Sequence, residues 1–263
     1  LLLSAVVMDR WGRKAGVIYA AVVSIVGTVG VTAAQNVAMF IVFRFVCGLG
    51  INAFLGVTGV LTSEIAPPAL RGFFVGMVGG GILVGYSIAS LMGLACFYIH
   101  SPSAQWRLPL GLGLVFQVFM LCVLPWLPES PRWLLMVGRD AEAKAIIYDI
   151  HQSSKDHSQT FAEREFYQME RQIELDKRLK ASFREMFTRP SYRKRTIIAL
   201  SFGFFNQSTG ILVVGSYGAL IYKSLGFGAR DVLCFQVGWI MTGLPFNFLG
   251  ESQACRGQEY HHS

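Results

Sequence analysis

The sequence predicts an all-α integral membrane protein, a bundle of spanning helices, and three observations support that prediction. The chain of 263 residues is 53% hydrophobic and only 15% charged, against about 25% charged in an ordinary soluble domain. Its mean hydropathy is +0.46. The deficit of charge is concentrated: residues 15–43, 45–63, 72–106, 108–128, 196–222 and 232–250 contain no Asp, Glu, Lys or Arg. Each run reaches the roughly 17–25 residues that a helix needs to cross the hydrocarbon core, whereas a soluble core helix would carry a polar stripe. The basic residues are also segregated. Of 23 Lys and Arg, four stand at positions 10, 13, 14 and 71 and fourteen lie between 132 and 195. That is the positive-inside pattern of cytoplasmic loops, not the groove of a nucleic-acid binder. The net charge of +7 therefore predicts a lipid bilayer as surroundings and no nucleic-acid partner.

The elements follow in order once the basic opening turn is placed in the cytoplasm. Residues 1–7 end an incoming helix, 16–34 run outward and 39–61 return, joined by the uncharged "AQN" expected of an outside loop. "SEIAPPALRG" at 63–72 turns in the cytoplasm, with Pro67 and Pro68 breaking the helix. Residues 73–98 go out, "YIHSPSAQWR" turns outside, and 108–127 return. The segment 132–195 is then cytoplasmic, and too long and patterned for a plain linker. Within it, "RDAEAKAIIYDI" predicts a short amphipathic helix with Asp140 as its cap. "EREFYQMERQIELDKRLK" predicts a second, laying Phe166, Met169, Ile173 and Leu179 against the cytoplasmic face. "SFREMF" is a third short piece. Residues 196–222 exit and 231–250 re-enter. Gly72, Gly76 and Gly80 are spaced by four, as are Gly81 and Gly85, which predicts close helix packing along that span.

Other chemistries find no support. Cys47, Cys96, Cys122, Cys234 and Cys255 form no CxxC or Cys/His cluster, so neither a metal site nor a disulfide framework is indicated. No Ser/His/Asp set, paired-carboxylate site or nucleotide loop predicts an enzyme or a cofactor. The stretch that stands out is "VVMDRWGRKAG" at 6–16, which crowds Asp9, Arg10, Arg13 and Lys14 around Gly12 between two apolar runs. Asp9 suits a helix end, Gly12 a tight turn, and Arg10 and Arg13 can reach the carboxylates of Glu64 and Glu129, with Arg71 and Arg132 at similar helix ends. Arg44 stands apart, with 29 uncharged residues before it and 19 after. Such a residue either faces the bundle interior and a partner or snorkels to the surface.

The motifs resemble the sugar porter family of the major facilitator superfamily, in the style of fungal members. "DRWGRK" is similar to the family's D-R-x-G-R-[RK] turn between helices 2 and 3, and "RFVCGLGIN" at 44–52 to its helix 4 signature, with Asn52 in place of the last glycine. "EIAPPALRG" at 64–72 resembles the helix 4–5 turn, and "QWR" at 105–107 and "PESPRWL" at 128–134 resemble the start of helix 6 and the segment after it. "GRDAEA" and "SFREMF" are similar to the family's intracellular helices. "FFNQSTGILVVGSYG" at 204–218 resembles the helix 7 signature Q-Q-x-[ST]-G-x-N-x-x-x-Y-Y. These fall in family order over residues 1–250.

The resemblance implies the major facilitator fold of twelve helices in two halves with the solute held between them, here running from the end of helix 2 through helix 8. Residues 1–131 then form the N-terminal transmembrane half, 132–195 a cytoplasmic helical linker domain and 196–250 the start of the C-terminal half. Residues 251–263 are an atypical tail, "ESQACRGQEYHHS", where the family repeats its charged turn, and a truncated chain is expected.

It also implies roles. Asp9, Arg10, Gly12, Arg13, Glu64, Arg71, Glu129 and Arg132 form a cytoplasmic charge network that holds the outward-facing state closed inside. Exposed ion pairs of about 0–1 kcal/mol each suit such an exchangeable latch. Arg44 matches the arginine that faces a helix 1 carboxylate in proton-coupled members. Asn206 and Gln207 hold the two glutamine positions, with amides suited to sugar hydroxyls. Thr209 and Gly210 match the signature, Gly210 as a bend and Tyr217 as the second tyrosine of a gate. Leu212 replaces the signature asparagine and Ser216 the first tyrosine. The solute thus stays open among sugars, disaccharides, polyols and related small molecules. Secondary active or facilitative transport of such a solute, with protons as a second partner in the coupled case, is the first reading, in a multi-pass protein of the plasma membrane. A non-transporting nutrient sensor of the same family and a non-functional fragment are the alternatives.

Overall fold

The computed structural model describes residues 2–66, 71–152, 158–178, 187 and 190–259. Its elements are α1 (Leu2–Trp11), α2 (Arg13–Thr32), α3 (Val37–Ile65), α4 (Arg71–Phe97) and α5 (Pro102–Val123), which ends in a 3-10 turn (Leu124–Trp126). There follow α6 (Pro131–Val137), α7 (Asp140–Gln152), α8 (Ser158–Arg178), α9 (Pro190–Ser208), α10 (Ile211–Ser224) and α11 (Ala229–Glu259). No strand occurs among the described residues. Five stretches are long and apolar enough to span a membrane: Arg13–Thr32, Val37–Ile65, Gly72–Phe97, Pro102–Trp126 and Ala229–Gly250. They coincide with five of the six predicted spans. The sixth, 196–222, is not one helix, because the chain breaks between α9 and α10 at Gly210, where φ is +73°. Pro67, Pro68, Leu179 and all of "SFREMF" except Phe187 lie outside the described residues.

The chain divides into two compact units, Leu1–Ala162 with Val237–Ser263, and Glu163–Gln236. In the first, α2 is the central helix. It packs antiparallel on α3 through Gly27, Gly30 and Gly50. A Cβ at Gly27 would run into the backbone of Cys47, one at Gly30 into the Phe43 ring, and one at Gly50 into the backbone of Ser24. Contact this close suits membrane helices, which gain little from hiding apolar surface and depend on backbone-to-backbone packing. Of the glycines expected to do this on α4, Gly81 and Gly85 do not: a Cβ at either meets no described atom within 4 Å. Small residues permit a close approach without compelling one. Where α1 ends, α2 begins, α3 ends and the 3-10 turn lies, Met8, Val17, Val57, Leu61 and Leu124 form a buried apolar cluster.

The short helices of this unit after the 3-10 turn follow helix-end chemistry. α6 was not anticipated, although its signals are written in "ESPRWLLMVG". Ser130 caps its start by accepting from the Trp133 amide at 3.3 Å, Pro131 opens it, and Gly138 at φ +85° closes it. α6 packs on α7, whose Ala143 and Ile147 are buried, as the amphipathic reading required. Asp140 is the first residue of α7 rather than its cap; there its charge favours the helix N-terminus. In the second unit, α8 buries Ile173 and half-buries Phe166 and Met169. Arg171 on its outer face bonds the Tyr167 hydroxyl at 3.1 Å and Glu174 at 3.2 Å. α10 and α11 meet through Tyr222, Phe227 and Phe235.

Candidate functional site

The charged opening stretch is a one-residue turn. α1 ends at Trp11 and α2 starts at Arg13, with Gly12 alone between them at φ +99°. Only glycine takes that conformation without strain. Space is a second constraint: a Cβ on Gly12 would lie 2.7 Å from Glu129 Oε2 and 3.3 Å from the Trp133 ring. Gly12 offers no side chain to cap α2, so the first amides of that helix need another acceptor. Glu129 is that acceptor. Its carboxylate takes the Arg13 amide at 2.9 Å and the Lys14 amide at 3.2 Å, and it also accepts from the Ser130 amide at 3.0 Å. An anion at a helix N-terminus is favoured by both the free N–H groups and the helix dipole. Lys14 answers at the other pole, donating from Nζ to the Pro125 carbonyl at 3.3 Å beyond the end of α5.

Arg13 joins a second carboxylate. Its guanidinium grips Glu64 of α3 bidentately, Nε to Oε2 and Nη2 to Oε1, both at 2.9 Å. Its Nη1 donates to the Met8 carbonyl at 3.1 Å and to Asp9 Oδ1 at 3.4 Å. Ser130 Oγ donates to Glu64 Oε2 at 2.6 Å while it caps α6, and Trp133 Nε1 donates to the Asp9 carbonyl at 3.1 Å. The cluster therefore fastens the end of α1, the start of α2, the end of α3 and the start of α6, and reaches the end of α5 through Lys14.

This arrangement corrects the sequence-based expectation in two respects. The central pair is not exposed. The Arg13 and Glu64 side chains are 8% and 11% accessible, against the apolar cluster of Met8, Val17, Val57, Leu61 and Leu124. A buried bidentate pair is costly to break one-sidedly, about 3–5 kcal/mol, so it acts as a single strong clasp rather than several weak ones. Arg10 does not join it. It lies over the Trp11 ring at 5.6 Å and makes no ion pair among the described residues, because α1 remains helical through Trp11 and leaves Arg10 exposed. Asp9 is mostly exposed and pairs with Arg13 at the rim. Arg132 lies in the first turn of α6. Arg71 begins α4, and its side chain lies outside the described residues. Ser130 and Trp133 are members that the sequence reading missed, and Lys14, noted beside Gly12, was not placed in the network. The capping pattern S-P-x-x could have found Ser130.

The remaining candidates lie elsewhere. Arg44 is exposed on α3, one turn from Gly48, and has no hydrogen bond or ion pair among the described residues. Asn206 and Gln207 sit in the last turn of α9, their side chains outside the described residues. Thr209 and Gly210 are the break itself, and the Gly210 carbonyl accepts the Val213 and Val214 amides that start α10. Tyr217 is exposed on α10. At the opposite ends of these helices, "QWR" is a junction that the sequence reading did not resolve. Gln105 Nε2 donates to the Phe97 and Ile99 carbonyls at 3.1 and 2.8 Å, closing the α4–α5 turn. Trp106 meets Phe40 edge-on at 6.0 Å, and Arg107 Nη2 donates to the Ala34 carbonyl at 2.8 Å, past the end of α2.

With this geometry in place, similarity to known proteins is informative. The family model described as "Sugar (and other) transporter" matches residues 1–250. The MFS-type transporter criB of Aspergillus cristatus is 29% identical over 92% of this chain and 52% of its own length. The low-affinity glucose transporter HXT3 of Saccharomyces cerevisiae is 32% identical over 83% of this chain and 38% of its own. The chain thus spans about half the length, or less, of these relatives. Among solved structures, the proton:xylose symporter XylE bound to 6-bromo-6-deoxy-D-glucose superposes with a TM-score of 0.83 at 22% identity, covering 95% of this chain and 55% of that one. The helix order, the spans and the family match agree: the chain belongs to the sugar (and other) transporter family and has the major facilitator fold.

Proposed function

We propose that the protein carries a sugar or sugar-like solute across the plasma membrane by alternating access, with the cluster around Arg13 as its cytoplasmic latch. The observation that carries this reading is the interlock of Glu129 on the α2 amides with the buried Arg13–Glu64 pair. Two carboxylates distant in sequence meet one turn of chain, and a protein that needed only topology signals would not have to seat one of them on a buried arginine. In this reading the latch stabilises the outward-facing state, and its members part when the cytoplasmic side opens. Asn206, Gln207 and Thr209 beside the α9–α10 break offer amide and hydroxyl groups to solute hydroxyls. Gly210 acts as the hinge of that break, and Tyr217 serves as a gate. Names among the relatives and structural neighbours, a glucose transporter and a proton:xylose symporter, support a sugar as cargo. Arg44, unpaired among the described residues, is the candidate for proton coupling.

The test is uptake by the full-length protein in a transporter-deficient yeast, across hexoses, disaccharides, polyols and quinate-like acids, with and without a protonophore. Gln207→Ala removes an amide whose loss leaves polar partners unpaired, at about 1–3 kcal/mol, so the half-saturation concentration should rise by one to two decades. Leu212→Asn, which restores the signature amide, should move preference toward hexoses. Unchanged uptake of every carried solute in Gln207→Ala would remove the site from this helix. Absence of any uptake, with solute binding intact, would favour the sensor.

A further inference from the structure

A second set of polar contacts lies within the membrane span of the first unit, and the latch does not include it. Between Arg107 and Glu129, Gln117 is the one residue of α5 and its 3-10 turn with an amide or hydroxyl side chain. Its Nε2 donates to Ser24 Oγ at 3.0 Å and to Thr28 Oγ1 at 3.2 Å. Both acceptors are buried on α2. Thr28 uses its own hydroxyl hydrogen on the Ser24 carbonyl at 2.8 Å, which leaves its lone pairs for Gln117. The Gln117 Oε1 atom is buried and has no hydrogen-bond partner.

These contacts form part of a sequence running the length of the antiparallel α2–α5 pair. From outside to inside they are Arg107 on the Ala34 carbonyl, Gly111 beside Thr32, Gln117 on Ser24 and Thr28, Lys14 on the Pro125 carbonyl, and Glu129 on the Arg13 and Lys14 amides. From these contacts we infer that Gln117 is a positioning residue that keys the axial register of α5 on α2, and thereby sets Glu129 at the N-terminus of α2.

The physical case is one of registry. From Leu108 to Val123 α5 is otherwise apolar, made of Leu, Pro, Gly, Val, Phe, Met and Cys, and lipid gives such a surface little preference between one register and the next. A slip by one turn moves a helix about 5.4 Å. Slipped inward by a turn, Gln117 faces Ala20 and Ser24 and so loses one of its two hydroxyl partners, while Glu129 runs past the Arg13 and Lys14 amides. Slipped outward, it finds Thr28 and Thr32, but Glu129 leaves the Arg13 and Lys14 amides and Arg107 overshoots Ala34. Only the observed register satisfies all three levels. A single buried amide that fixes register at a cost in unmet hydrogen bonding is known physics in paired helices, and the unpartnered Oε1 is that cost here.

The inference rests on the transport reading only for its consequence at the latch, so the test measures register directly. In a background with the native cysteines replaced, Thr32→Cys is paired with Gly111→Cys, where a Cβ lies 3.6 Å from Thr32 Cγ2, or with Leu108→Cys, which lies one turn nearer the start of α5 and reports an inward slip. Oxidative cross-linking of the full chain in membranes should favour the first pair. Gln117→Leu, of similar volume and without the unmet acceptor, should leave the melting temperature unchanged or higher. It should also raise the ratio of the second cross-link to the first about threefold, the worth of one interhelical hydrogen bond in a membrane. Ser24→Ala with Thr28→Val should produce the same shift from the other side, and adding Gln117→Leu should produce no more. Unchanged cross-link ratios in both variants would overturn the inference, whether or not the parent protein transports.

Discussion

Arg13→Ala is the sharpest perturbation of the latch. The substitution deletes both hydrogen bonds to Glu64 and those to Met8 and Asp9. It leaves the Glu64 carboxylate, 11% accessible, with Ser130 Oγ at 2.6 Å as its remaining donor among the described residues. Removing one partner of a buried pair costs about 3–5 kcal/mol, or two to three and a half decades at about 1.4 kcal/mol per decade. If the pair exists only in the outward-facing state, that whole cost falls on one side of the equilibrium and the inward-facing state takes over. If it exists in both states, it falls on stability alone. The assay is alkylation of Gly59→Cys by an impermeant maleimide in inside-out vesicles, read beside the melting temperature. Gly59 lies six residues, about 9 Å along the helix, from the cytoplasmic end of α3, and a side chain there meets nothing within 4 Å. Arg13→Ala should raise the alkylation rate by at least a decade. Arg13→Met with Glu64→Gln removes both charges, so its melting temperature should return toward that of the parent, as buried pairs replaced together often allow, while alkylation stays fast. Alkylation unchanged in Arg13→Ala while the melting temperature drops would refute the latch and leave the pair as architecture.

Gly12→Ala should act in the same direction, because the positive φ costs roughly 1–2 kcal/mol and the new methyl displaces Glu129 from the α2 amides; the same alkylation assay reads it. Gly210→Ala meets no neighbour within 4 Å, so its cost is backbone strain of about 1–2 kcal/mol. Uptake should fall by no more than about tenfold at equal surface expression, and a loss a hundred times larger would mean that the site needs the space and not the turn. Ala145→Cys, on the exposed face of α7, should react with an impermeant reagent in intact cells only after permeabilisation, and earlier labelling would reverse the orientation.

Five of the six spans are legible in the sequence because a bilayer penalises any charge in them, and the penalty leaves an uninterrupted apolar run. The amphipathic face of α7 is legible for the related reason that burial on one side of a helix repeats every three to four residues. α6 is equally written in its Ser-Pro start and Gly end, but the motif drew attention to its charges instead. Which glycines meet a partner was not legible. Gly81 and Gly85 have the spacing, while Gly27, Gly30 and Gly50 have the contact, since spacing describes one helix and approach requires two.

The same division runs through the site. Composition and order alone determined that Asp9, Arg13, Glu64 and Glu129 stand at helix ends, since each is a charge bounding a span. Tertiary structure decided that Arg13 is the buried partner of Glu64 while Arg10 lies on Trp11. It also decided that Glu129 serves backbone amides instead of an arginine, and that Gln117, an unremarked polar residue in an apolar run, meets two hydroxyls on α2. The physical reason is that a charge or an amide in the sequence declares only its own chemistry. Its partner, burial and energy depend on the register and crossing of helices brought together from residues as far apart as Arg13 and Glu129.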